Sequence, residues 1–201
     1  QRSCRVGLQN NPTCSEMEKQ GLAGKSPDAI LVGEINEEPI KGAELGNSPS
    51  HIIRKGKPYF KDKTVIHRTT AGVVGVKLAF EKCDEIVLGS FVMASAICKY
   101  IQQKNPPLVT LVAMGERGKK RSPEDEACAD YLEHLIAGTP FDPVDAFGRV
   151  VSQHTAQKFI KGEKPYLPRE DPIFCLQRNL FDFVLTVKKS ESRLEAFKVL
   201  S

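Results

Sequence analysis

Apolar positions first gather at Asp28–Glu34, DAILVGE, a run closed by Gly33 and Glu34 that predicts a buried parallel strand with a polar carboxyl end. Residues 1–27 before it are polar and poorly specified, with at most a short helix over Ser15–Gln20. After it comes a loop rich in Glu, Pro and Gly, where Asn47-Ser48-Pro49 marks a turn and Ser48 or Ser50 starts a brief helix. From Thr64 the pattern turns regular. Strands are predicted at Thr64–Arg68, Glu85–Ser90 and Leu108–Gly115, and helices at about Gly72–Lys82, Ala94–Lys104, Ser122–Gly138 and Asp142–Ile160. A proline-broken linker at Lys164–Pro172 precedes a short helix and a strand at Phe181–Val187, and the last ten residues read as a partly exposed helix. Strand and helix alternate as in βαβ units. The expectation is an α/β fold, three-layered α/β/α with a mainly parallel or mixed sheet, spanning residues 28–188 between an ill-defined start and a helical tail at 189–201.

Composition narrows this picture only moderately. Hydrophobic residues make up 40% and charged residues 27%, as in ordinary globular proteins, and no apolar run reaches the roughly 20 residues that span a bilayer. The formal charge of +4 is too small and too dispersed for a nucleic-acid surface. Six cysteines, at 4, 14, 83, 98, 128 and 175, lack the close spacing of a zinc or redox motif. They read as reduced thiols, with Cys83, Cys98 and Cys128 as buried small hydrophobes, and with the lack of a signal segment they point to a cytoplasmic protein. The chain opens on Gln1 rather than Met, which suggests a truncated sequence.

The chemistry centres on Thr64–Gly75, TVIHRTTAGVVG, a strand, a tight turn and a helix start. Free backbone N–H groups and the helix dipole make such a turn a ready anion site, and Thr69, Thr70, Ala71 and Gly72 would line it. The plainer reading is that the threonines cap a helix and Gly72 permits close packing. Strand alternation sends His67 and Arg68 to opposite faces, so only one faces the pocket, and Arg68 is the better anion partner. In a parallel sheet ligands gather beyond the carboxyl strand ends, where Glu34, the Arg68–Gly72 turn, Ser90 and the Glu116–Asp125 segment are expected. Anion donors beside carboxylates suit metal-assisted chemistry on a phosphate ester, with Glu34, Glu124 and Asp125 as candidate magnesium ligands. Against this, Ser122 and Asp125 have the spacing of a capping box, which needs no further role for either. Neither a G-x-S-x-G elbow, a C-x5-R loop, a D-x-D-x-T motif nor a Walker A loop is present.

Taken together, several segments carry a family resemblance: LVGE (31–34), GAELGNSP (42–49), RTTAGVVG (68–75), GSFVMASAI (89–97), LVAMGE (111–116), SPEDEACADYL (122–132), DPIFCL (171–176) and FDFVL (181–185). In order and spacing they resemble the 2-phosphosulfolactate phosphatase family over about Asp28–Val187. The resemblance implies a magnesium-dependent α/β hydrolase that removes phosphate from 2-phospho-3-sulfolactate, a step toward coenzyme M. Asn47, Ser48, Arg68–Gly72, Ser90, Glu124 and Asp125 fall on the family's motifs. With Glu34 they divide, on chemical grounds, into catalytic (Arg68, Glu124, Asp125), substrate-binding (Asn47, Ser48, Thr69, Thr70, Ala71, Gly72, Ser90) and metal-holding (Glu34, Glu124, Asp125) candidates. The implied partner is a small phospho- or sulfo-acid, without nucleic acid or membrane, in a monomer or homo-oligomer. Three departures accompany the match: no Asp-Val-x-Arg-Ala strand before Asp28, Ile35 and Asn36 in place of Arg and Gly, and Met93 in place of Asn. They leave a second reading open, a non-catalytic anion-binding member or an incomplete fragment.

Overall fold

A parallel strand pair, made possible by one glycine, anchors the first half of the molecule. The computed structural model describes residues 6–9, 28–69, 72–116, 120–190 and 193–200. Strand β2 (Ala29–Ile35) runs parallel to β4 (Thr64–Arg68), with Leu31 opposite Ile66 and Gly33 opposite Arg68. Residues 30–33 are all buried, so β2 is covered on both faces, as its unbroken apolar run predicts. Gly33 has φ +151°, and a Cβ there would collide with the Arg68 carbonyl oxygen. Only glycine lets the two backbones meet at this point.

The sheet continues with strand β1 (Val6–Gln9) parallel on the other side of β4, then the hairpin of β5 (Phe183–Ser190) and β6 (Arg193–Leu200). The order is β3-β2-β4-β1-β6-β5, with β3 (Glu38–Pro39) antiparallel to β2 and β6 antiparallel to β1. The fold is thus α/β with a mixed sheet. A strand does precede Asp28: β1 fills the place between β4 and β6, so no open edge arises there. β6 corrects the helix expected for the last residues: Leu194 and Ala196 are buried and Glu195 is not, a period of two that a sheet neighbour selects. Helix α1 (Pro49–Phe60) follows Ser48 as expected, with a break at Gly56, and α2 (Gly72–Phe80) follows β4.

By its contacts the chain divides into two compact units, Gln1–Ile86 with Thr186–Phe197, and Val87–Leu185 with Lys198–Ser201. The second is largely helical. A 3-10 turn (Phe91–Met93) leads into α3 (Ala94–Lys104), followed by α4 (Pro123–Ala137), α5 (Pro143–Ser152), α6 (His154–Lys161) and α7 (Asp171–Cys175). Its core joins Phe91, Ala94, Ile97, Tyr131, Leu132 and Val184. Two predicted strands are not formed. Glu85–Ser90 makes only isolated backbone bonds, such as Leu88 N–H to the Leu185 carbonyl, and Leu108–Gly115 stays irregular with Leu108 and Val112 exposed. Both have β-branched composition, but a strand exists only with a ladder partner, and the described residues supply none to Leu108–Gly115. The helix expected over Asp142–Ile160 is two, separated at Gln153, whose ψ of 150° ends α5. Asp142 caps α5, its Oδ1 accepting from the Val144 and Asp145 N–H groups. Cys83, expected to be buried, is exposed and its thiol donates to the Ala79 carbonyl, whereas Cys98 is buried. The helix expected over Ser15–Gln20 lies outside the described residues, and among those described no helix is long and apolar enough to cross a membrane.

One residue without any sequence signature fastens the second unit. Asn179 adopts φ 57°, donates its backbone N–H to the Phe91 carbonyl and its Nδ2 to the Tyr131 hydroxyl, and accepts the Ser95 N–H at the start of α3. Beside it the Arg178 guanidinium lies 5.4 Å over Tyr131 and 5.1 Å over Phe147, a cation–π clamp on the aromatic cluster.

Two substitutions measure these anchors by thermal and denaturant unfolding. Gly33→Ala is expected to cost about 2–4 kcal/mol through backbone strain and displacement of Arg68, whereas Gly46→Ala, whose added Cβ would sit 3.4 Å from the Pro39 side chain at an ordinary φ, should change little. Asn179→Ala is expected to cost about 2–4 kcal/mol, from two lost side-chain hydrogen bonds and left-handed strain, and Asn179→Gly should recover roughly the 1 kcal/mol due to strain.

Candidate functional site

In the first unit the carboxyl ends of β2 and β4 lie side by side, which brings Glu34 and Arg68 to one edge of the sheet. The loop after β3 is laid along the outer edge of β2: Gly33 N–H donates to the Leu45 carbonyl, Glu44 N–H to the Leu31 carbonyl, and Leu31 N–H to Glu44 Oε2 at 2.7 Å. This lacing fixes where Gly46, Asn47 and Ser48 emerge. Ser48 is 7% exposed and is the N-cap of α1, its Oγ accepting the His51 N–H at 3.2 Å and contacting Ser50 Oγ. Its hydroxyl caps the helix through an acceptor lone pair. Asn47 is exposed, and its Oδ1 lies 3.0 Å from His67 Nε2 on β4.

The expectation placed Arg68, and not His67, in the pocket. The structure gives both a role of position, because alternation along β4 sends them to opposite faces. His67 meets Asn47 and feels the charge of Glu34. Burial lowers its pKa, and the Glu34 carboxylate opposes that shift. Arg68 is 6% exposed, and its Nη1 has no hydrogen-bond partner among the described residues. Buried guanidinium nitrogens are ordinarily satisfied, since an unpartnered buried cation is costly. Thr69 follows, with its methyl 3.6 Å from the point where a Gly72 Cβ would stand, so the start of α2 packs closely on the turn. Thr70 and Ala71 lie outside the described residues. Glu34 accepts the Glu37 N–H at 2.8 Å and so supports the two-residue turn of Asn36 and Glu37, both at positive φ, between β2 and β3.

The second unit carries the other candidates. Ser122 is the N-cap residue of α4 but its side chain makes no capping bond, and Asp125 Oδ2 instead accepts the Gly115 N–H at 2.7 Å. The capping box suggested by their spacing is not formed. Glu124, Asp125 and Glu126 crowd the first turn of α4. Burial is the main cause that raises the Asp125 pKa, the Gly115 N–H opposes it, and the charges of Glu124 and Glu126 raise it further. Arg121 pairs with Glu126. Ser90, at the head of the 3-10 turn, has a buried Oγ without a hydrogen-bond partner among the described residues. Burial and the Asp125 charge push the neighbouring Cys128 thiol up to about 12, so it is no nucleophile near neutrality.

His67 is the residue that sequence reasoning set aside. The signal for it was present in two parts, a histidine next to the anion turn and an Asn-Ser-Pro loop after β2. The lacing of that loop across β2 joins them, and no spacing in the chain reveals it.

Comparison with known proteins accords with the motifs. A chain from Bacillus subtilis named "Probable 2-phosphosulfolactate phosphatase" is 30% identical over 166 residues, which are 81% of this chain and 69% of that one. Equally named chains from Clostridium perfringens and Thermotoga petrophila are 26% and 29% identical, covering 71% and 79% of their own lengths. The family profile of 2-phosphosulpholactate phosphatase matches residues 11–190, a span that contains every candidate above, and by that match the chain belongs to this family.

Proposed function

We propose that the chain is a phosphoric monoester hydrolase that converts 2-phospho-3-sulfolactate, or a closely related short phospho-acid, to sulfolactate and phosphate. The observation that carries this reading is the buried Arg68 guanidinium, whose Nη1 has no acceptor among the described residues, at the carboxyl end of β4 and four residues before α2. A buried N–H of that kind is a ready donor, and a phosphate or sulfonate oxygen would accept a charge-assisted hydrogen bond from it. Thr69 and the backbone start of α2 stand next to it as further donors. Arg68 would bind the anion and hold its orientation while charge builds on the phosphoryl oxygens.

Magnesium belongs to the same proposal. Among the described residues no group of three or more His, Cys, Asp or Glu is placed to hold a metal ion. Magnesium, however, keeps several waters and takes only one or two carboxylates. Glu124 and Asp125 meet that demand, since the charge crowded around Asp125 is what a cation relieves. When bound, the cation would supply charge stabilisation to a transferring phosphoryl group. The raised pKa of Asp125 also has a thermodynamic sign. Between the ordinary carboxylate value and its raised value the folded state binds more protons than the unfolded one, so stability falls as pH rises through that window.

Phosphate release from 2-phosphosulfolactate, measured with magnesium and with chelator, tests the reading: turnover that depends on magnesium is expected, and a folded full chain that releases none under either condition overturns it. Arg68→Met keeps side-chain bulk and removes the buried charge. It should leave the unfolding midpoint equal or higher while anion affinity falls by about 1–3 kcal/mol, and unchanged affinity removes Arg68 from the site. Asp125→Asn keeps an acceptor for the Gly115 N–H and removes the charge. The variant should match or exceed the parent in stability above the titration window, by urea unfolding at a series of pH values, yet lose magnesium-dependent turnover by about 100-fold or more.

A further inference from the structure

Asn47 is an exposed side chain of the loop laced along β2, and its carbonyl oxygen meets a side chain of another strand. An asparagine amide has two faces of opposite character, an oxygen that only accepts and an Nδ2 that only donates. A free, exposed Asn presents either to a ligand, and an anion is bound by one and repelled by the other. Here the oxygen lies 3.0 Å from His67 Nε2, and an amide oxygen accepts there only when that ring nitrogen carries the proton. The backbone of the pair is rigid at both ends. His67 sits within β4 opposite Val32, and Asn47 is followed by the buried N-cap Ser48 and preceded by the Leu45 carbonyl bonded to Gly33.

We propose that His67 is the positioning residue for Asn47: its Nε2–H holds the amide oxygen and thereby turns Asn47 Nδ2 outward as a fixed donor to a phosphate or sulfonate oxygen. The proposal rests on the phosphatase reading for the identity of the anion, and on the hydrogen bond alone for the orientation. The half-buried ring supports it, since desolvation favours the neutral imidazole, which has a single N–H and a defined tautomer. The Glu34 carboxylate lies near the same ring and adds no competing donor. His67 does not touch substrate in this scheme. It acts through Asn47, which separates its effect from that of Arg68 on the opposite face of β4.

The tautomer is read directly on the ligand-free full chain by long-range 1H–15N correlation of the His67 ring. Protonated Nε2 is expected, and a ring protonated at Nδ1 alone, with Nε2 as acceptor, overturns the proposal because Asn47 Nδ2 would then face inward. The consequence for binding is read by calorimetric titration with inorganic phosphate. His67→Ala and Asn47→Ala should each weaken it about tenfold, and the double variant should lose no more than either alone. His67→Gln retains an N–H donor and should return affinity to within about threefold of the parent. Additive losses in the double variant, or equal losses for His67→Ala and His67→Gln at an unchanged unfolding midpoint, sink the positioning role. With 2-phosphosulfolactate the defect should appear in KM more than in kcat. A parent chain with the Nε2 tautomer and coupled phosphate binding but no phosphate release would reject the phosphatase reading and leave the His67–Asn47 assignment standing.

Discussion

The first unit depends on the close approach of β2 and β4 at Gly33 and Arg68. Parallel pairing there puts the carboxyl ends of two strands level, and the absence of a side chain at residue 33 lets the Arg68 carbonyl pass without displacement. The loop after β3 then uses the other edge of β2, through Leu31 and Gly33, so one strand carries a ladder on one side and a laced loop on the other. Both candidate anion donors of this unit, Arg68 and Asn47, take their positions from that single strand. The arrangement is rigid because most backbone groups involved are satisfied within it, which is what a preorganised donor set requires.

Stability and chemistry pull against each other at two places. A buried guanidinium nitrogen without an acceptor among the described residues and a carboxylate made more basic by burial and like-charged neighbours both raise the free energy of the folded state. Asp125 has the Gly115 N–H as a partner, and Arg68 Nη1 has none among the described residues. The chain belongs to the 2-phosphosulpholactate phosphatase family, and the proposed reaction would bring an anion to Arg68 and a cation to Asp125. The second unit is held together by other contacts. Its aromatic cluster of Phe91, Tyr131 and Phe147 is clamped by Arg178, and Asn179 ties Phe91, Ser95 and Tyr131 together.

The irregular course of Leu108–Gly115 shows how far composition can determine a strand. LVTLVAMG has the β-branched and apolar character of a buried strand, yet Leu108 and Val112 stand exposed without a ladder. Residues 193–200 make the opposite case. Their mixture of Arg, Glu, Lys and apolar residues suited a helix, and pairing with β1 drew them into the sheet. In both segments the neighbour, and not the local propensity, decided the outcome.

The sequence by itself determined the α/β class, the strands at Ala29–Ile35 and Thr64–Arg68, the helix after Asn47-Ser48-Pro49, the Pro123 to Gly138 helix boundaries and the family, because these follow from short-range signals: apolar runs, caps, prolines, glycines and ordered motifs. It marked Arg68, Glu124 and Asp125 as chemical groups without showing their state. Only the tertiary structure decided that Ser48 Oγ rather than Ser50 accepts the His51 N–H, that Asp125 accepts the Gly115 N–H in place of a capping box with Ser122, and that His67 and Asn47, twenty residues apart, come within 3.0 Å. Burial, tautomer and pKa depend on what the fold brings alongside a residue, and those neighbours are distant in the chain.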